Sequence, residues 1–270
     1  MSIHTRLMPR PSGTPLVVKT SQVYEKDETR MMDHMRKSLT SIALLVLALS
    51  TGSLYAEDLY PPKDLVISTH SKWAAGHYPR RIAVFRTHPL ATNDIVFIGD
   101  SITEYGGDWA KRLNIKTVKN RGISGDVTAG ILARMNELYH YRPKALFVLI
   151  GINDLLATQQ SPKYIAENTI KISDLMHKNS PGTIVYVQTM LPISQKRGNL
   201  QAIRTANRIL REHNNPSYKL IDLYSHFADE AGYMKKEYSG DGVHLTPAGY
   251  KLWASLIQKR AEAAVGTPAQ

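Results

Sequence analysis

The sequence contains no cysteine. Disulfides, thiolate metal sites, a cysteine nucleophile and a lipidated cysteine are thereby excluded, although a cysteine-free chain tolerates either redox compartment. Basic residues never run longer than two and nowhere interleave with aromatics into a binding face. The net charge of +11 therefore marks no nucleic-acid site, and no nucleic-acid partner is expected. There is no GxxxxGK(S/T) phosphate loop, and the turn after the first strong strand carries Asp-Ser, whose carboxylate would repel phosphate. His70 and His77 lie seven residues apart without partner ligands, so neither a metal nor another cofactor is called for. No internal repeat or linker interrupts residues 90–265. What remains, 270 residues with 43% hydrophobic and 21% charged side chains, suits one soluble domain with a sizeable core, plus processed segments.

Residues 1–34 are polar, mixed in charge and without hydrophobic period, and read as disordered or as an upstream extension foreign to the mature protein. Met35-Arg36-Lys37 then heads an uncharged run from Ser38 to Ala56 centred on Ile42–Leu49, which is the layout of a secretory signal peptide over residues 35–56. Cleavage after Ala56 and a translation start at Met31, Met32 or Met35 are expected. The resulting expectation is an exported, periplasmic or secreted protein with no membrane span after processing. The rival is an uncleaved anchor, against which stands a strongly apolar part of only about a dozen residues. Residues 57–89 read as an amino-terminal segment packing on the domain, 90–265 as the domain itself, and 266–270 as a tail.

Within the domain, Ile95–Ile98, Lys116–Lys119, Ala145–Ile150, Thr183–Met190 and Tyr218–Leu223 read as strands. Helical spacing recurs over Trp73–Phe85 (with Pro79 interrupting), Asp108–Leu113, Val127–Leu138, Pro162–Lys178, Leu200–Glu212 and from Pro247 onward. Strands alternating with helices predict a single doubly wound α/β domain, a three-layer sandwich around a five-stranded parallel sheet. The strand order is taken as flavodoxin-like, 2-1-3-4-5.

Ile95–Ile98 runs directly into Gly99-Asp100-Ser101, which places a serine hydroxyl on a sharp turn at the carboxyl end of a strand, where open sheets put their ligands. Gly-Asp-Ser is also an ordinary turn composition. A serine nucleophile needs a base, usually a histidine oriented by a carboxylate. His244, in Ser239-Gly240-Asp241-Gly242-Val243-His244, has Asp241 three residues earlier, a spacing that lets a turn bring the two together; the alternative is a plain loop. Acyl transfer further requires donors aimed at an oxyanion. Gly125 offers an unobstructed backbone N–H and Asn153 an amide N–H, in the loops after the second and third strands; turn geometry and a helix cap would explain them equally. The four loops share one sheet edge.

Gly99-Asp100-Ser101, Asn120–Asp126, Gly151-Ile152-Asn153-Asp154 and Asp241-Gly242-Val243-His244 resemble, in order, the four motif blocks of the SGNH (GDSL-type) serine hydrolases. The resemblance covers residues 90–258 and is nearest the branch of platelet-activating-factor acetylhydrolase-like enzymes and bacterial carbohydrate acetylesterases. Ile102 replaces the leucine of the GDSL name, a swap of one apolar residue for another. The resemblance implies Ser101 as nucleophile, His244 as base and Asp241 as its orienting carboxylate. It implies an oxyanion hole from the backbone N–H groups of Ser101 and Gly125 and the Asn153 side chain. Asp100 is read as a structural residue of the turn.

The implied reaction is two-step ester hydrolysis through an acyl-enzyme. Short loops and the lack of a long apolar lid favour a short acyl group, acetyl above all, on a small-molecule or glycan ester. A basic surface and an exported address would suit acidic glycans. A lysophospholipase or acyl-thioesterase of the same fold is the rival enzyme, and a catalytically silent glycan-binding module the rival of another class.

Overall fold

Side chains on a strand alternate between faces, and in β1 (Ile95–Gly99) this sends Ile95 and Phe97 one way and Val96 and Ile98 the other, all fully buried. A strand apolar on both faces must lie between two layers. The computed structural model, which describes residues 59–214 and 217–266, shows that arrangement. The upstream extension 1–34, the signal-peptide segment 35–56 and the tail beyond Gly266 lie outside the described residues.

The sheet comprises β1, β2 (Val118–Gly122), β3 (Ala145–Leu149), β4 (Ile184–Gln188) and β5 (Lys219–Ile221), all parallel, in the order 2-1-3-4-5 that was expected. The helices, in chain order, are α1 (Lys72–Thr87), α2 (Ser101–Glu104), α3 (Trp109–Leu113), α4 (Thr128–Leu132), α5 (Asn136–Tyr141), α6 (Ile152–Leu156), α7 (Pro162–Asn179), α8 (Leu200–Glu212), α9 (Tyr224–Phe227) and α10 (Pro247–Gly266).

One face of the sheet packs Ile95, Phe97, Phe147 and Leu149 against Trp109 and Leu113 of α3 and Trp253 and Ile257 of α10. Register makes Phe97, Phe147 and Tyr186 neighbours across three strands, and their rings stack with centroids 4.7 Å apart at each step. The other face packs Val96, Ile98, Leu146 and Val148 against Ile131 of α4, Leu138 of α5 and Ile172 and Met176 of α7. Each such fully buried apolar side chain contributes about 1.5–3 kcal/mol. Among the described residues no helix is long and apolar enough to cross a membrane.

Three details depart from the expected elements. Strand β2 begins later than Lys116 and runs through Asn120-Arg121-Gly122, because Arg121 satisfies its buried guanidinium on Glu137 at 2.7 Å and so can enter the sheet. The Val127–Leu138 periodicity resolves into two short helices, broken around Arg134, whose guanidinium is drawn to Asp126 and to the carbonyls of Arg121 and Gly99. Helix α1 continues through Pro79, which removes one donor; Tyr78, Ile82 and Phe85 hold it against Ile123 of the loop after β2.

Candidate active site

Strand β1 lies between β2 and β3, so its carboxyl end sits where successive connections leave for opposite faces, the switch point at which open sheets bind ligands. There Asp100 caps α2, its Oδ1 accepting from the Ile102 N–H at 2.9 Å. This is the structural part read for it. Ser101 becomes the first residue of α2. Gly122 permits this tight turn: a Cβ there would stand 2.2 Å from the Glu104 nitrogen. From α10 the Tyr250 hydroxyl donates to the Ile102 carbonyl at 2.8 Å and braces the turn from behind.

The Ser101 Oγ lies 2.9 Å from His244 Nε2, and His244 Nδ1 lies 2.7 Å from Asp241 Oδ2. Ser101 is buried, whereas His244 and Asp241 are part-exposed. Asp241 Oδ1 also accepts from the N–H groups of Val243 (2.9 Å) and His244 (2.8 Å), so three donors from two residues of one turn wrap a single carboxylate. Burial alone would raise the Asp241 pKa, but the His244 hydrogen bond and the two backbone donors outweigh it and hold the group well below the usual carboxylate range. An ionised Asp241 accepts the Nδ1 proton and leaves the Nε2 lone pair facing Ser101. The loop is held in turn by Ser194 N–H on the Gly242 carbonyl (2.9 Å) and Arg197 Nε on the Asp241 carbonyl (3.1 Å).

Gly125 and Asn153 stand on the loops to either side. The Ser101 N–H belongs to the first turn of a helix, where backbone donors lack intrahelical acceptors. Gly125 has a φ of +78°, and a Cβ there would lie 2.9 Å from Ala74 Cβ, so both conformation and space favour glycine. Asn153 in α6 donates from Nδ2 to the Asp126 carbonyl at 2.9 Å, which fixes the amide against the loop that carries Gly125. Asp154 ties the same loops a second time by accepting from the Thr128 N–H (2.9 Å) and hydroxyl (2.6 Å).

Several residues that shape the site were not singled out by the sequence. Glu104, at the end of α2, accepts from the Ser124 N–H and from its hydroxyl (2.7 Å), and pairs with Arg81 (3.1 Å) and His77 (3.2 Å). Burial pushes its pKa up, yet the Ser124 donors and the Arg81 charge bring it below its ordinary value. Glu104 thus binds the Gly125 loop to the Ser101 helix. Beneath that loop Asp126 is fully buried, held by Arg134 at 2.9 Å and His70 at 3.0 Å. Removing one partner of such a buried pair costs about 3–5 kcal/mol. The sequence offered only the charges themselves, with no periodicity to mark them as buried.

Asp100, Asp126 and Asp154 form a buried acidic group under the site. Burial pushes the Asp100 pKa up to about 7, with the charges of Asp126 and Asp154 adding to it against the Ile102 hydrogen bond. Burial likewise raises Asp154 to about 6 despite its Thr128 donors. In the unfolded chain both deprotonate near the ordinary carboxylate value of about 4. Between about pH 4 and 7 the folded state therefore binds more protons, and stability falls as pH rises through that window. Asp100→Asn keeps an acceptor for the Ile102 N–H and cannot ionise. It should raise Tm relative to wild type at pH 8 and have a much smaller effect at pH 4, measured by thermal unfolding at both values. An equal shift at both pH values would contradict the elevated Asp100 pKa.

Fold and site together define a doubly wound α/β protein with a hydrogen-bonded Ser–His–Asp chain at the switch point of its sheet. The chain belongs to the GDSL-like Lipase/Acylhydrolase family, a family of carboxylic ester hydrolases, whose model matches residues 97–252. Among curated proteins it is similar to the N-acylneuraminate cytidylyltransferase of Escherichia coli O18:K1:H7, 26% identical over 179 residues that cover 62% of this chain and 40% of that protein. The chain thus spans well under half the length of that relative. Among solved structures it is similar to a GDSL-like lipase from Bacteroides thetaiotaomicron (23% identity, 72% of this chain and 100% of the other, TM-score 0.60). It is also similar to the acetyl xylan esterase AlAXEase (18% identity, 62% and 98%, TM-score 0.52). At these identities the structural likenesses establish the fold.

Proposed function

We propose that the protein is a serine esterase that removes short acyl groups, acetyl above all, from a polar or carbohydrate alcohol. The observation that carries the reading is the continuous chain Ser101 Oγ to His244 Nε2 (2.9 Å) and His244 Nδ1 to Asp241 Oδ2 (2.7 Å). In this mechanism His244 Nε2 takes the Ser101 proton as Oγ attacks the ester carbonyl. The negative charge that develops on the carbonyl oxygen is met by the N–H groups of Ser101 and Gly125 and the Asn153 amide. As the tetrahedral intermediate collapses, the C–O bond breaks and the departing alcohol takes the proton from His244. Water, deprotonated by His244, then attacks the acyl-enzyme and releases the acid and Ser101.

A short acyl group is supported by the short loops between the four motif blocks, which carry no long apolar lid. A cavity of about 10 Å³ under the Ser101 turn is lined by Asp100, Ile102, Leu149, Ile152, Met190 and Val243, though by neither Ser101 nor His244. That is room on the scale of one water, so the core under the turn opens no channel for a long acyl chain. A carbohydrate alcohol is supported by the partial relative, whose name specifies an acylneuraminate, an acidic sugar, and by the net charge of +11. Residues 35–56 support export, which N-terminal sequencing of the exported protein would test; residues 1–34 in the mature product would refute it.

Two measurements test the reading. Hydrolysis of p-nitrophenyl esters from acetyl to dodecanoyl should fall steeply with chain length; preference for the longer chains would favour a lysophospholipase or thioesterase instead. A screen of O-acetylated saccharides should release acetate. Asn153→Ala should lower kcat about 10²- to 10³-fold with little change in KM, because its donor meets charge present only in the transition state. A change confined to KM would remove Asn153 from the oxyanion hole.

A further inference from the structure

Two large aromatic side chains stand in solvent beside the site, although surface aromatics of this size are normally part-covered. Tyr105, immediately after α2, is 54% exposed, and its ring centroid lies 5.2 Å from the His244 imidazole, tilted by 45°. Trp73, in the first turn of α1, is 57% exposed. One of its faces stacks on His77 at 4.8 Å and 20°, and its Cζ3 would stand 3.2 Å from a Cβ on Gly125. His77 is held in turn by Glu104, the residue before Tyr105. Trp73, His77 and Glu104 thus run in contact from the Gly125 loop to α2, and the next residue, Tyr105, meets the His244 ring.

Trp73, His77 and Glu104 gather at the loop after β2, whereas the small cavity, with Leu149 and Met190, lies toward β3 and β4. An acyl group that points toward β3 and β4 leaves the alcohol half of the ester to the β2 side. The departing oxygen must also be within hydrogen-bond reach of His244 Nε2 to receive its proton, which brings the alcohol against Tyr105. A sugar presents a face of weakly positive C–H bonds, the complement of the negative face of an aromatic ring.

From this we propose, resting on the carbohydrate-ester reading above, that Trp73 and Tyr105 form the stacking surface for the sugar ring that leaves as the alcohol. They act as specificity residues: they bind the alcohol half and take no part in bond making. Their contribution is uniform across ground and transition states and is read in KM.

The test compares two acetyl esters on the whole protein. One is whichever O-acetylated mono- or disaccharide of a panel the wild type hydrolyses fastest; the other is methyl acetate, whose alcohol is too small to stack. In Trp73→Ala and in Tyr105→Ala the ratio of kcat/KM for the saccharide ester to that for methyl acetate should fall about tenfold, mainly through KM. Trp73→Phe should restore most of it. A ratio equal to wild type in both alanine variants, with saccharide turnover intact, would overturn the aromatic role alone. So would an equal fall on both esters, which would mean that Trp73 merely supports the Gly125 loop. Wild-type protein that turns over methyl acetate but no saccharide ester of the panel would overturn the carbohydrate reading itself. If Trp73→Ala abolished binding to phosphatidylcholine vesicles while the ester ratio stayed fixed, the aromatics would belong to a lipid contact and the proposal would be wrong.

Discussion

Ser101→Ala is expected to lower kcat/KM for p-nitrophenyl acetate by about 10⁴- to 10⁶-fold, the scale on which serine hydrolases lose activity with their nucleophile. The side-chain contact removed is the one between Oγ and His244 at 2.9 Å. Alanine is a good helix former, so the first turn of α2 should persist with Asp100 still capping it. Circular dichroism and Tm should therefore stay close to wild type while activity vanishes. A fluorophosphonate probe should label the wild type at Ser101 and leave the variant unlabelled. Turnover retained in a folded variant would remove Ser101 from the reaction, and failure of the wild type to react with the probe would favour a silent binding module.

Asp241→Asn should cost nearly as much, about 10⁴-fold in kcat, for a reason that the hydrogen bonds around the carboxylate make specific. Oδ1 accepts from two backbone donors, Val243 N–H and His244 N–H. An asparagine must place its oxygen there to satisfy both, since its nitrogen would meet them as a second donor. Its NH₂ then faces His244 Nδ1, which can only accept, so the imidazole proton moves to Nε2. The base is lost without moving a heavy atom. The variant should keep its Tm and KM, and a loss smaller than about tenfold would show that Asp241 does not fix the tautomer.

Much of this arrangement was legible in the chain, and the reasons differ from part to part. Strands β1 and β3 are apolar on both faces, and Ser161-Pro162 and Thr246-Pro247 mark helix starts by capping chemistry that needs no tertiary context. Sheet order was taken as flavodoxin-like and not read from any residue, since crossover handedness narrows the topologies without choosing one. Strand β2 was harder, since its Asn120-Arg121-Gly122 carries no apolar pattern and enters the sheet only through partners far along the chain, Glu137 above all. The same is true of Glu104 and Asp126. A carboxylate that will be buried looks, in sequence, like one that will be solvated, and only the folded position of Arg134, Ser124 and His70 separates them. Asp241 and His244 were readable together because their contact is local, three residues within one turn.

That locality has a bearing on how the site is assembled. The imidazole and its carboxylate are neighbours in a short turn and can come together without the rest of the domain, whereas Ser101 and His244 are 143 residues apart. In the mechanism proposed above, closing that one long span is the step that completes the site. The closure is carried by α10, which follows the His244 turn and reaches back through Tyr250 to the Ile102 carbonyl and through Trp253 to Phe97 of β1. The carboxyl-terminal helix is thus the latch of the catalytic centre. Opening it would separate His244 from Ser101 while the strands remained paired, so that on the proposed mechanism hydrolysis would cease during unfolding before the sheet melted.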